Sequence, residues 1–319
     1  MLDRADHAIQ WKGYCATDGI LIINKPAGMT SHDVVARVRR LIGQKRVGHI
    51  GTLDPLATGV LPICVGQATR VAEYLSEGGK AYRATIRFGV ETTTYDAEGE
   101  VVREAPVALT REDIETVLPE FLGEQEQIPP VYSAIKRDGK PLYALARAGE
   151  EVTPEPRRVR IDALTVVTWK TPDLTLDVEC GKGTYMRSLA FDLGRRLGPG
   201  AYLARLIRTR SGPFILDQSV TLEELEAALA GDGWRAQLHP ADKALADWGA
   251  VTLDEEGERR LRNGQPFTLP PESIIAGTAE SEMLRAYAPD GRFLGILRWD
   301  GAAFVWRPHK VFASAPASG

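Results

Sequence analysis

Gly48-His49-Ile50-Gly51-Thr52-Leu53-Asp54-Pro55-Leu56-Ala57-Thr58-Gly59, running into the apolar stretch Val60 to Val65, is the segment from which the rest of the chain can be read. The residue before a proline is pushed out of the helical region, so Asp54-Pro55 begins a turn. Glycines at 48, 51 and 59 permit positive φ angles and the close approach of another backbone. The pattern predicts an ordered loop that displays a single carboxylate at the mouth of a buried strand. An Asp-Pro pair alone is more often a turn device than a catalyst, so the neighbouring segments decide its meaning.

On the N-terminal side, Gly19 to Asn24 is a short apolar run of buried-strand type, stopped by the turn Lys25-Pro26-Ala27-Gly28. Ser31 suits the N-cap of a helix over 32–42, with Val34, Val35, Val38, Leu41 and Ile42 on one face and Gly43 at its end. On the C-terminal side, 68–75 reads as a helix, and 80–88 alternates as a strand with Tyr82, Ala84, Ile86 and Phe88 on one face. A polar loop over 92–99 and a short strand over 100–102 follow. Thr110 caps a helix over 111–121, 128–134 is rigid extended chain, 136–140 a charged turn, and 141–148 a short helix. Residues 159–169 and 174–180 form a strand pair about Thr171-Pro172-Asp173, and a helix spans 185–197 with Leu189, Leu193 and Leu197 inward. Strands and helices that do not strictly alternate indicate an α+β fold with a mixed, largely antiparallel sheet flanked by helices.

At 319 residues the chain has room for one large domain and a small one. It has neither an apolar run long enough to span a membrane nor the layout of a signal peptide, which predicts a cytoplasmic protein with no membrane partner. Cys15, Cys64 and Cys180 are widely spaced and lack a C-x-x-C pair, against both a disulfide framework and a zinc site. The net charge of −4 does not announce a nucleic-acid binder. The distribution is uneven, however: seven basic residues and one acid lie between Lys182 and Arg210. Those charges suit either a basic groove or the solvated face of a helix.

The ordered series Lys25-Pro26-Ala27-Gly28-Met29-Thr30-Ser31, Gly48 to Gly59, Gly66-Gln67-Ala68-Thr69-Arg70, Lys80-Ala81-Tyr82-Arg83 and Gly183-Thr184-Tyr185-Met186-Arg187-Ser188 resembles the bacterial tRNA uridine-55 pseudouridine synthase family, TruB, over about 19–312. The resemblance implies a pseudouridine-synthase-type sheet and an isomerase that detaches uracil from its ribose and rejoins it through C5. Neither redox change nor net hydrolysis is involved, so no cofactor or metal is expected. It implies that Asp54 is the nucleophile, attacking C1′ of the ribose or C6 of the ring. Arg187 is implied as the partner that orients this carboxylate and holds its pKa down, and Tyr82 as the residue that stacks on uracil and is a candidate for proton transfer. His49 is implied near the flipped nucleotide and Leu206 in the uracil pocket, with Tyr185 on the substrate side. Lys25 is placed either in structural support or against phosphate, and Lys182, Arg205, Arg208 and Arg210 are expected to face phosphates.

The last seventy or so residues carry strand patterns at 265–269, 284–287, 293–299 and 303–306, separated by the turn pairs Asn263-Gly264, Asp290-Gly291 and Asp300-Gly301. That predicts a small β-barrel, which is similar to a PUA domain. The expected organisation is an extension at 1–18, a catalytic domain at 19–240 and a PUA-like RNA-binding domain at 248–319. Residues 127–152 form an insertion that is either an RNA-contacting flap or an ordinary solvated loop. The implied partner is tRNA, through its T-stem-loop and, by the C-terminal domain, its acceptor end, without an obligatory protein partner. Rival readings are a guide-RNA-dependent relative and a non-catalytic tRNA-binding or folding protein; assistance to tRNA folding is compatible with catalysis.

Overall fold

A computed structural model describes residues 18–75, 78–132, 136–137, 140–141, 154–231, 233–275, 277 and 282–312. The extension expected at the N-terminus, with Cys15, lies outside the described residues apart from Asp18. The helix expected over 141–148 lies outside them from 142 onward, as do the side chains of Lys136, Arg137 and Lys140 expected on the flap.

The strands in chain order are β1 (Gly19–Lys25), β2 (Val47–His49), β3 (Thr58–Val65), β4 (Lys80–Phe88), β5 (Val90–Thr92), β6 (Val101–Glu104), β7 (Gly123–Gln127), β8 (Lys136–Arg137), β9 (Lys140–Pro141), β10 (Arg157–Lys170), β11 (Asp173–Cys180), β12 (Ala201–Ser211), β13 (Phe214–Ile215), β14 (Gly249–Thr252), β15 (Ile274–Ile275), β16 (Met283–Tyr287), β17 (Phe293–Asp300) and β18 (Val305–Val311). The main sheet has the order β1-β3-β12-β4-β11-β10-β7, with β2 on β3 and β13 on β12. Among its described pairings only β3 with β12 is parallel. One face, with Leu21, Ile23, Leu61, Ile63, Ala84, Ile86 and Leu203, packs against Val34, Val35 and Val38 of helix Ser31–Ile42 and Leu189 and Leu193 of helix Met186–Leu197.

β12 is the strand that the periodicity does not announce, and it lies at the centre of the sheet. Its pairing with β4 shifts register between Leu203 and Arg205 and again between Arg208 and Arg210. A side chain in a regular strand alternates faces, and a bulge reverses that parity. Leu203 and Leu206, three residues apart, are therefore both buried, and Arg208 follows Leu206 into the interior.

This places one rung of the sheet under the aspartate loop. Lys25 of β1 pairs with Gly59 of β3, Gly59 with Arg208 of β12, and Arg208 with Tyr82 of β4. Gly59 has φ +99°, and a Cβ added there would sit 2.3 Å from the Arg208 carbonyl oxygen. Gly59→Ala is expected to destabilise the protein by roughly 2–4 kcal/mol, because it combines left-handed strain with a backbone clash. Thermal or denaturant melts would check this, and an unchanged midpoint would mean that the rung relaxes.

The helix after β1 begins one residue earlier than expected. Thr30, not Ser31, is its N-cap, in a reciprocal capping box with Asp33. Ser31 is thereby free to brace the aspartate loop, where its buried hydroxyl donates to Leu53 O at 3.1 Å and accepts from Leu53 N at 2.9 Å. The segment 66–75 is a 3-10 turn followed by a single α-turn, Ala72–Leu75. The helix expected over 111–121 is α-helical to Val117 and 3-10 beyond it, with Pro119 early in that turn.

The C-terminal strands form an open sheet of order β15-β14-β16-β17-β18, not the closed barrel that the turn spacing suggested. Residues 265–269 contribute a single bridge, Phe267 to Trp306, instead of a strand. This β-rich unit has its own cluster around Val251, Leu284, Leu294, Leu297 and Trp306. A second cluster joins its Phe293, Ile296 and Phe312 to Ile20, Ile22, Val71 and Leu75 of the large unit.

Candidate active site

The aspartate loop is held from below by side chains on the strand ends. Lys25 is fully buried, and its ammonium donates to the carbonyls of Pro26, Met29 and Pro55 at 2.9, 2.5 and 3.2 Å. Burial pulls that ammonium down to about 8, opposed by the charge of Asp54. Gly28 N donates to Pro55 O at 2.8 Å, and Ala57 N closes the turn on Asp54 O at 3.1 Å. With Ser31 fixing Leu53, the backbone on both sides of Asp54 is pinned.

Above the loop opens a cavity of about 390 Å³ lined by Leu53, Asp54, Lys80, Tyr82, Lys182, Tyr185, Arg187, Leu203, Leu206 and Arg208, among others. Asp54 Oδ2 stands 3.0 Å from Arg187 Nε, and its side chain is 38% exposed against 6% for the arginine. Arg187 enters at the first turn of helix Met186–Leu197, where its fork is anchored on backbone. Nη2 donates to Tyr132 O at 2.9 Å and Nη1 to Thr94 O at 3.5 Å. The Nε hydrogen is not aligned on any acceptor, so the contact with Asp54 is an ion pair and not a well-directed hydrogen bond. The helix start is itself fixed by Gln127, which donates to Tyr185 O at 3.0 Å and accepts from Tyr185 N at 2.7 Å.

Sequence reasoning missed a second carboxylate. Asp96 is buried, 3.5 Å from Arg187 Nη1, and accepts from Thr94 Oγ1 at 2.5 Å and Glu98 N at 3.0 Å. Its loop is tied to β12 through Leu203, whose N donates to Tyr95 O and whose O accepts from Ala97 N. Nothing in 92–99 marks this residue beyond a polar turn, since its meeting with Arg187 depends on tertiary packing.

These groups set the electrostatics of Asp54. Burial raises its carboxyl above the usual aspartate range; Arg187 and Lys25 oppose that shift, and the negative charge of Asp96 reinforces it. The expectation that Arg187 holds this pKa down is thus correct for the sign of its own effect, but burial outweighs it. Glu98 is raised for the same reasons, burial first, then Asp96 and Asp54. Tyr82 is buried and its hydroxyl is pushed up by burial, with Arg208 opposing.

Asp54, Tyr82, Arg187, Tyr185, Lys182 and Leu206 therefore share one cavity, although up to 152 positions separate them in the chain. The remaining expectations fare differently. Arg208 is not a phosphate-facing residue: it has no exposed surface, and it donates from Nε to Val60 O at 2.7 Å and from Nη2 to Gly51 O at 2.8 Å. The β12 bulge turns it inward. Lys25 is likewise too deep to meet phosphate. Arg205 is exposed but shares its rung with Thr85 on the outward face of β4, and Arg210 pairs with Glu179 at 2.9 Å. Neither lines the cavity, so these arginines do not form one continuous groove. His49 is not among the residues that line the cavity and packs edge-to-face with His32 at 5.1 Å. Burial, then the charge of His32, pushes its ring down to about 4.

Comparison with known proteins matches residues 39–186 to the family described as TruB family pseudouridylate synthase (N terminal domain). Residues 187–246 match the tRNA pseudouridylate synthase B C-terminal domain. The chain is 48% identical to tRNA pseudouridine synthase B of Pseudomonas fluorescens (strain Pf0-1), over 87% of this chain and 90% of that protein. It is 46% identical to the protein of the same name from Burkholderia mallei (strain NCTC 10247), over 89% and 93%. Among solved structures, a Cbf5-Nop10-Gar1 complex aligns with TM-score 0.69 at 27% identity, covering 88% of this chain and 78% of that one. An H/ACA RNP bound to a substrate RNA containing 2′-deoxyuridine shares the fold, with TM-score 0.72 at 24% identity over 93% and 85%.

Proposed function

Because this chain belongs to the TruB family of pseudouridine synthases, we propose that it isomerises a uridine in the T-loop of tRNA, position 55 of tRNA, without a guide RNA. The observation that carries the reading is the Asp54 carboxylate standing at the cavity mouth, 3.0 Å from Arg187, with Tyr82 in the same cavity. Asp54 acts as nucleophile at C1′ or at C6. In the first route the C1′–N1 bond breaks with its electron pair going to N1 as the carboxylate bonds C1′. The uracil turns, and C5 bonds to C1′ as the C1′–O bond to Asp54 breaks and returns its pair to the carboxylate. In the second the C6–O bond formed by Asp54 breaks in the same way once C5 has bonded to C1′. In both the C5 proton is lost and N1 gains one. Atoms and charge balance, as an isomerisation requires. Tyr82 offers a ring for stacking and a hydroxyl that burial keeps protonated.

A base within a stacked loop cannot reach a carboxylate set in a cavity, so the target nucleotide must be turned out. Leu53, Leu203 and Leu206 supply apolar walls for the base, and Arg187 and Lys80 supply positive charge where the detached uracil carries negative charge. The division into a catalytic domain and a PUA-like RNA-binding domain remains part of this reading, with the open C-terminal sheet directed to the acceptor end.

The test is an incubation of the purified protein with an unmodified tRNA transcript and no other RNA, followed by pseudouridine mapping. Product at position 55 is expected. Failure without guide RNA, and rescue by one, would favour a relative of the ribonucleoprotein type. For binding, Lys182→Glu at the cavity rim is expected to weaken tRNA affinity and reduce the salt slope by about one. Arg205→Glu, on the other face of the sheet, is expected to leave that slope unchanged. Filter binding across salt concentrations checks both; equal effects would restore the arginine to the RNA surface.

A further inference from the structure

We propose that Tyr95 is a positioning residue for this reaction: its ring, stacked on Phe191 one turn beyond Arg187, holds the 94–96 segment on helix Met186–Leu197, so that Asp96 and the Thr94 carbonyl keep Arg187 set on Asp54. The inference rests on the reading in which Asp54 reacts and Arg187 is its partner. Three consecutive residues meet the helix. Thr94 O accepts from Arg187 Nη1 at 3.5 Å, Asp96 Oδ2 stands 3.5 Å from the same nitrogen, and the Tyr95 and Phe191 ring centres lie 4.1 Å apart with 22° between their planes. Arg187 and Phe191, four positions apart, share one face of the helix. Arg195, four further on, sits 5.2 Å over the Phe191 ring and pairs with the buried Glu91 at 2.6 Å, so the ring that Tyr95 meets is itself held.

Tyr95 does more than fill space, because its backbone is strained. Its φ is +64°, a region that bulky side chains rarely adopt, and among the described residues only Phe304 is another non-glycine with positive φ. Consecutive side chains of an extended chain point to opposite sides, whereas this turn lets Tyr95 and Asp96 reach one helix together. Glycine or asparagine would take the conformation with less strain, yet neither carries a ring to stack. Neighbours hold the strain in place. Tyr95 N donates to Thr92 O at 3.2 Å, Tyr95 O accepts from Leu203 N at 2.9 Å, and Thr92 Oγ1 donates to Asp96 O at 2.7 Å. Offset aromatic pairs contribute beyond the area they bury, and this one lies a single helical turn from the arginine. Without it, the segment bearing Asp96 loses its second hold on the helix, and Arg187 loses the fixed partners that orient its fork.

The test is a double-mutant cycle on single-turnover pseudouridine formation, with Tyr95→Asn, Arg187→Lys and the pair, and Tyr95→Phe beside them. Tyr95→Asn suits the backbone but lacks the ring, and is expected to slow the reaction by about 10- to 100-fold, as a small misplacement of reacting groups does. Its tRNA affinity should stay within about threefold of the native value, since no phosphate contact is lost. Tyr95→Phe, the conservative variant, keeps the ring and is expected to recover the rate. In the Arg187→Lys background Tyr95→Asn is expected to cost at least about fivefold less, because residues acting through one group do not add. A native rate for Tyr95→Asn would overturn the proposal, and full additivity would overturn its action through Arg187. Equal slowing in Tyr95→Phe would move the role from the stack to the hydroxyl. Should Tyr95→Asn not fold, Phe191→Leu breaks the same stack from the helix side, and a native rate for it would equally overturn the proposal. Failure of the underlying reading would show separately, as a native rate for Asp54→Asn.

Discussion

Asp54→Asn is expected to lower single-turnover pseudouridine formation by about 10⁴-fold or more, the scale seen when a nucleophile is removed. Asparagine has nearly the same shape but cannot form the covalent intermediate. The turn beneath it needs only backbone groups, the Asp54 carbonyl among them, so tRNA affinity should stay within a few-fold of native. Stability supplies a second readout of opposite sign. The Asp54 carboxyl is raised by burial, so the folded protein holds that proton more tightly than the unfolded chain. That linkage stabilises the fold below the unfolded pKa and is lost as pH rises through the folded one. At neutral pH the ionised group therefore opposes folding, and Asp54→Asn should melt no lower than native. With Asp54 as the proposed nucleophile the ionised form is the reactive one, and the acid limb of the rate profile is expected above the ordinary aspartate value of about 3.9. Release of tritium from C5-labelled tRNA gives the rates, and calorimetry the melts. Product at the native rate would remove the nucleophile assignment; loss of tRNA binding along with activity would make Asp54 a structural or binding residue.

Arg187 carries the second large effect. Arg187→Lys keeps one positive charge but not the planar fork that spans Asp54, Asp96 and the carbonyls of Thr94 and Tyr132. A slowing of about 10²–10³-fold with near-native tRNA binding is expected, the range for loss of one preorganised electrostatic contact in an active site. Arg187→Met is harsher, because Asp54 and the buried Asp96 then face each other without a cation. Breaking a buried pair in this way costs about 3–5 kcal/mol at neutral pH. The sign of its pH dependence follows: with the cation gone, the Asp54 carboxyl moves further up, so protonation relieves the repulsion. The gap in Tm from native should narrow as pH falls from 7.5 to 5. A gap that widens on acidification would mean that Arg187 stabilises mainly through its backbone contacts. A native rate for Arg187→Lys would mean that any cation suffices.

Much of the site was legible in the chain. The single carboxylate in a glycine-bearing turn, the strand alternation that puts Tyr82 on the core side, and Arg187 at a helix start all lie where local patterns place them. Ser31, Lys80 and Asp96 were not legible as site residues. Ser31 reads as a cap because hydroxyls favour caps, and only the tertiary fold reveals that Thr30 takes that role. Asp96 sits in a turn that any acidic residue would suit. The open C-terminal sheet was misread as a barrel because turn spacing reports how many strands there are, not whether the last closes on the first.

By itself, the order of residues determined the apolar strands, their turns, the identity of the acid between β2 and β3, and the family. These depend on φ preferences and on side-chain periods of two and 3.6, which act over a few residues. Only the tertiary structure decided where the basic segment points. One bulge in β12 changes the parity of the strand and sends Arg208 into the interior beside Tyr82 while Arg205 stays outside. That parity depends on how β12 registers against β4, more than a hundred positions earlier in the chain, so no local pattern could carry it.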